Sequence, residues 1–166
     1  MTTGTAASQG GLTSFQIEVA QLFFSLPASV GFLLAGGGAL AAQRLTTRPT
    51  QDLALDSAPS RPATVRIAGP TFGLEELAGR KTIALFDRAE ARDFADVYVL
   101  AQRYGRDPLL AWAAEVDAGF SLDVFGDMIG TLARFKDRDL PVDAGAVGPL
   151  REFFASWRNE LQAAGS

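Results

Sequence analysis

A chain of 166 residues, 48% hydrophobic and 20% charged, is long enough to bury a core and too apolar for a disordered segment. It has no cysteine and no histidine, which excludes disulfides, thiolate metal sites and every catalytic arrangement built on an imidazole. The net charge of −4 does not announce a nucleic-acid partner, and it is uneven: residues 44–106 carry 10 basic and 8 acidic side chains, residues 107–166 carry 5 and 10.

Residues 1–12, rich in Thr, Ser and Gly, read as a disordered tail. Thr13 or Ser14 caps a helix to about Leu26, with Ile17, Ala20, Gln21 and Phe24 on one face and Pro27 as its stop. Residues 32–35 form a short apolar strand, Gly36-Gly37-Gly38 a turn, and residues 39–45 a helix. No lysine or arginine precedes Arg44, so a secretory leader is not expected. Residues 19–43 are uncharged and long enough to span a bilayer, but Pro27, Gly31 and the three glycines interrupt any continuous helix. A buried segment in a cytoplasmic protein is the reading, with a membrane-attached helical protein as the competing one.

Residues 46–51 read as a loop, 52–56 as a strand, 57–61 as a turn and 64–67 as a second strand stopped by Gly69-Pro70. From Leu74 the periodicity becomes helical. One helix runs to about Phe86. A second spans 89–104, with Phe94, Val97, Leu100, Ala101 and Tyr104 as its apolar stripe and Gly105 as its stop. Asp107-Pro108 suits the start of a third, ending near Gly119. Ser121 caps a fourth, with Leu122, Phe125, Met128, Ile129 and Leu132 inward. A fifth begins at Pro149 and aligns Leu150, Phe153, Phe154, Trp157 and Leu161. The fold class is α+β: a small α/β core over 13–70 and a helical region over 71–166.

Without histidine, chemistry must run on carboxylates, lysine, arginine, hydroxyls and backbone groups, and carboxylate-bound Mg²⁺ is the natural partner of that set. Three groupings could serve it. Gly36, Gly37 and Gly38 between strand and helix could let backbone N–H groups approach phosphates, or could be a plain tight turn. Asp52 and Asp56, four apart on a strand, share a face and could hold a cation, or could be solvated turn residues. Lys81, Asp93 and Asp96 could line a triphosphate cleft, or could belong to a solvated face in which Arg92 pairs with Asp96.

Their order in the chain is more telling. Residues 32–42, FLLAGGGALAA, resemble the strand–glycine–helix opening of the AbiEii/AbiGii-type nucleotidyltransferase-like toxins, which belong to the polymerase-β-like superfamily. RPTQDL at 48–53 is similar to the stretch leading into that family's first metal-binding aspartate. EELAGRK at 75–81 resembles its lysine helix, and RAEARDFADV at 88–97 its Arg-Asp-x-x-Asp helix. The resemblance covers about residues 15–135. It implies a toxin of a toxin–antitoxin or phage-defence system that transfers a nucleotide from an NTP to an RNA acceptor, tRNA in some members, with Mg²⁺ as cofactor and a cognate antitoxin as partner. DNA is not an expected partner. Residue by residue, it implies Asp52, Asp56 and Lys81 as catalytic, with Asp52 and Asp56 on the metal. Gly36, Gly37, Gly38, Lys81, Asp93 and Asp96 would contact the nucleotide. The chain departs from the pattern at position 54, Ala where a second aspartate is expected. Residues 53–59 look like the later strand that carries the family's third aspartate, so the middle of the catalytic core reads as deleted. An inactive remnant, using the helical face from Leu150 to Leu161 to bind a protein, is the alternative reading.

Overall fold

The computed structural model describes residues 11–46, 49–50, 53–57, 63–65 and 68–164, with 63–65 described in backbone only. The chain divides into two compact units, Met1–Leu77 and Ala78–Ser166, the cut falling inside a helix.

In the first unit, α1 (Ser14–Phe24) is capped by Thr13. Its Oγ1 accepts the Gln16 N–H at 3.2 Å, while Gln16 Oε1 accepts the Thr13 N–H at 2.9 Å, so two orphan helix donors are satisfied reciprocally. Leu12, expected in a tail, has no exposed surface. A 3₁₀ turn at Pro27–Ser29 leads into β1 (Leu33–Ala35), followed at once by α2 (Gly36–Ala42). The glycines thus form the first turn of a helix rather than a turn before one, at a cost in backbone entropy relative to the alanines behind them. Arg44, at φ 56°, closes α2 in the left-handed region, and the Leu45 N–H bonds back to the Leu40 carbonyl at 2.8 Å.

β2 (Ala54–Asp56), β3 (Ala63–Val65) and β4 (Gly69–Thr71) complete a sheet of order β2-β1-β4-β3. β1 pairs antiparallel with β2 and parallel with β4; β3 and β4 form an antiparallel pair. Gly69-Pro70, read as a strand stop because proline gives the ladder no donor, is part of β4. Two features override the signal. Thr71 Oγ1 donates to the Leu34 carbonyl at 3.0 Å, tying β4 to β1, and the Phe24 ring of α1 lies over the bare Gly69, where a Cβ would clash. Gln43 adds bonds to Thr71 Oγ1 and to the Phe72 carbonyl.

The second unit takes in the latter part of α3 (Leu74–Asp87) and then α4 (Ala91–Tyr104), α5 (Arg106–Val116), α6 (Leu122–Gly130) and α7 (Ala144–Ala164). Gly79 lets α3 approach α5 so closely that a Cβ there would sit 2.5 Å from the Trp112 carbonyl oxygen. Gly105, at φ 88°, turns the chain straight from α4 into α5, so Asp107 lies inside α5 and does not cap it. α7 starts five residues before Pro149. That proline costs one intrahelical bond, to Gly145, and the flanking Gly145 and Gly148 have open space around them.

Leu150, Phe154 and Trp157 of α7 are fully buried, and Phe153 half-buried. Phe154 meets Phe94 of α4 edge-on at 5.2 Å, and Trp157 meets Phe125 of α6 at 5.3 Å. The α7 stripe is core, and the remnant reading loses the surface it needed. Leu122, expected inward, is 47% exposed. Arg106 staples α5 to α7: its guanidinium lies 4.6 Å over Phe153, donates to the Phe153 carbonyl and pairs with Glu160. That bond holds the Glu160 carboxyl below its ordinary range, so its small contribution is present at neutral pH and fades as pH falls into the acid range.

Gly79→Ala is expected to destabilise the protein by about 1–3 kcal/mol through overpacking, and Phe154→Ala by about 3–5 kcal/mol through the cavity it leaves. Urea unfolding followed by circular dichroism measures both.

Candidate functional site

The described candidates fall into two sets, one in each unit. In the first unit, Gly36 stands at φ 63°, and a Cβ there would lie 3.3 Å from the Ala54 Cβ of β2. The positive φ favours glycine there, and a Cβ would add a tight contact with β2. Ala54 is also the position where the family resemblance expects a second aspartate, so the substitution sits directly beside the glycine turn. Gly37 is half-buried and Gly38 buried. Asp56 ends β2, half-buried, in register with Leu33. Asp52 lies outside the described residues. Among the described residues no group of three or more carboxylates is positioned to hold a metal ion.

The second unit brings Lys81, Asp93 and Asp96 to one helical corner. α3 stops at Asp87, Ala89 takes the left-handed conformation at φ 47°, and α4 begins after Glu90. Asp93, at the third position of α4, accepts the Glu90 N–H at 3.1 Å and so caps the helix start. It also accepts a two-pronged bond from Arg88, Nε at 2.9 Å and Nη2 at 2.8 Å. This bond holds the Arg88 guanidinium above its ordinary pKa, with burial opposing it. A raised arginine stays charged up to and beyond its ordinary range, so the pair is intact at every physiological pH. Arg88 enters the sequence reading only as the first arginine of the stretch that resembles the family's Arg…Arg-Asp-x-x-Asp helix, with no role of its own. Its signal was there: the last residue before a helix corner, five before an aspartate that opens the next helix.

One turn further along α4, Asp96 accepts a bond from Lys81 Nζ at 2.7 Å. Both side chains are buried, 9% and 1% exposed. The expected pair of Arg92 with Asp96 does not form; Arg92 turns to Glu90 at 2.8 Å on the surface. The choice follows from where the side chains point. Asp96 lies on the inner stripe of α4 with Phe94, Val97 and Leu100, and Arg92 lies outside it. Two opposite charges withdrawn from water lose hydration that their attraction offsets only in good geometry, and an apolar pair of the same size often serves stability as well. A lysine ammonium has three donors, of which Asp96 takes one. Such a buried cation beside a carboxylate is suited to meeting an anionic ligand.

Lys81→Met, which takes the ammonium at 2.7 Å away from the buried Asp96 carboxylate, is expected to destabilise the fold by about 1–3 kcal/mol. Adding Asp96→Asn should restore most of the loss. Denaturant midpoints of the single and double variants provide the measurement.

A family model described as nucleotidyl transferase AbiEii toxin, Type IV TA system, matches residues 47–163. No curated protein and no solved structure matches the chain. The matched stretch holds Asp52, Asp56 and the whole Lys81–Asp96 corner, and it runs on through the aromatic stripe of α7; the glycine turn and α1 precede it. On more than half of its length, therefore, this chain belongs to the AbiEii nucleotidyl transferase toxin family of type IV toxin–antitoxin systems.

Proposed function

We propose that the protein transfers a nucleotide from an NTP to an RNA acceptor, tRNA being the first candidate, and that a cognate antitoxin counters the resulting growth arrest. The observation that carries this reading is the buried Lys81–Asp96 pair inside the stretch matched by the family. A buried charge pair loses hydration that an apolar pair of the same size would not, and a ligand for the ammonium would account for its retention.

In this reading Lys81 meets the triphosphate, and Asp96 holds the ammonium in place until the nucleotide arrives. The resemblance also implies Gly36, Gly37 and Gly38 as backbone donors to phosphate oxygens and Asp93 as a nucleotide contact. An acceptor hydroxyl oxygen attacks the α-phosphorus. The bond to the β-phosphate oxygen breaks, and pyrophosphate leaves with its electrons. The hydroxyl proton passes to a carboxylate, the class of base that is ionised at neutral pH in a chain without histidine. Of the two expected metal ligands the structure describes Asp56 alone, so the described residues do not by themselves constitute a cation site. Mg²⁺ enters through the resemblance, with Asp52 and Asp56 as its ligands, and when bound it would neutralise triphosphate charge. No helix among the described residues is long and apolar enough to cross a membrane.

The test is transfer of α-labelled nucleotide to total tRNA by the purified protein with Mg²⁺, run separately for each NTP. Wild type is expected to label the RNA, and Lys81→Ala, Asp52→Asn or Asp56→Asn to lower the rate by roughly a hundredfold or more. An RNA pool left unlabelled by wild type with all four nucleotides would overturn the catalytic reading.

A further inference from the structure

Lys81 lies in α3, and Arg88 follows its last residue, seven positions or two turns further on. The Arg88 N–H still bonds to the Ala84 carbonyl at 3.2 Å, so it continues the helical path. Asp93 and Asp96 stand three apart on the buried face of α4. Each cation meets one carboxylate, and two rungs join the helices: Lys81 to Asp96 at 2.7 Å, and Arg88 to Asp93 through a fork at 2.8 and 2.9 Å. The rungs are nested, because the fork spans five residues inside the fifteen spanned by the ammonium. Between them the chain reverses through Ala89 at φ 47°, a conformation that a non-glycine residue keeps only where its surroundings hold it. The fork and the Asp93 bond to the Glu90 N–H straddle that residue. The Asp96 charge also helps to raise the Arg88 pKa, after the larger effects of Asp93 and Glu90, so the two rungs belong to one electrostatic cluster.

We propose that Arg88 is a positioning residue for Lys81: its fork on Asp93 fixes where α4 begins, and so where Asp96 holds the ammonium. The planar guanidinium grips both carboxylate oxygens, which sets the direction of the Asp93 side chain as well as its distance. Asp93 is fully buried and also accepts a backbone N–H at the helix start, so a change in its direction moves α4 itself. Closing the short segment leaves less chain to order when Lys81 meets Asp96. The Arg88 side chain is 45% exposed and that of Lys81 9%, which puts the arginine at the open end of the ladder and the lysine at the closed end. The consequence for nucleotide transfer rests on the catalytic reading above; the link between the rungs does not.

The chain has two lysines, Lys81 and Lys136, and Lys136 is exposed. Limited acetylation of the folded full chain with acetic anhydride, followed by peptide mass spectrometry, therefore reads Lys81 against an internal standard. Wild type should modify Lys81 far more slowly than Lys136. Arg88→Met should raise the ratio of Lys81 to Lys136 modification roughly tenfold as the corner opens locally. The double variant Arg88→Met, Asp93→Asn, in which no Asp93 charge is left unpaired, should raise it equally, and it decides the matter where the single variant does not fold. Phe125→Ala, which removes a buried ring that meets Phe120 and Trp157, should leave the ratio at the wild-type value. In the nucleotide-transfer assay both Arg88 variants should lose roughly tenfold to a hundredfold in rate. A ratio unchanged by loss of Arg88, one returned to the wild-type value by Asp93→Asn, or one raised as much by Phe125→Ala overturns the proposal. So does lost transfer with an unchanged ratio, which would put Arg88 on the ligand itself. RNA left unlabelled by wild type overturns the catalytic reading alone, and the lysine ratios still decide the role of Arg88.

Discussion

The ion pair between Lys81 and Asp96 is the constraint around which the helical unit is arranged. Two long-range requirements meet there. The pair is shielded: Asp96 shares the buried face of α4 with Phe94, Val97 and Leu100, and Phe94 meets Phe154 of α7 edge-on. It must also be held in register, because a buried ammonium displaced from its carboxylate is costly. The register comes from the corner one turn away: Ala89 accepts a conformation that non-glycine residues seldom adopt, and Asp93 fixes it by binding the Glu90 N–H and both prongs of Arg88.

Much of this was open to inspection in the sequence. The helices α3, α4, α6 and α7 announce themselves by apolar periodicity, since burial of one face of a helix repeats every three to four residues whatever the rest of the fold does. The α7 row of Leu150, Phe153, Phe154 and Trp157 was legible as a strong amphipathic face, but not what it faces; periodicity shows that a surface is covered and is silent on the cover. The choice of partner for Asp96 was closed for a similar reason. Arg92 is the neighbour at helical spacing, and Lys81, fifteen residues away on another helix, is the neighbour in space.

The sheet was the harder half to read. Strands of three residues carry too few side chains for alternation to rise above chance, and Gly69-Pro70 gives every local sign of a stop. What makes it a strand is tertiary: the Thr71 hydroxyl on the Leu34 carbonyl and the Phe24 ring on Gly69, neither of which leaves a local trace. The glycine run misled by one turn, because glycine ahead of a helix and glycine inside its first turn look alike in sequence. Lys81, Asp93 and Asp96 were grouped from the sequence, but helical spacing supplied none of the contacts they make.

The parallel pairing of β1 with β4 has a kinetic side. Joining Leu34 to Thr71 closes a loop of 37 residues, whereas joining Lys81 to Asp96 closes one of 15. Chain entropy resists the longer closure more, and three-residue strands return few bonds for it. The helical corner is therefore expected to assemble early and the sheet late. During synthesis the residues of β1 emerge first and wait for β4 before they have a central neighbour, a window in which an apolar strand is open to pairing with other chains.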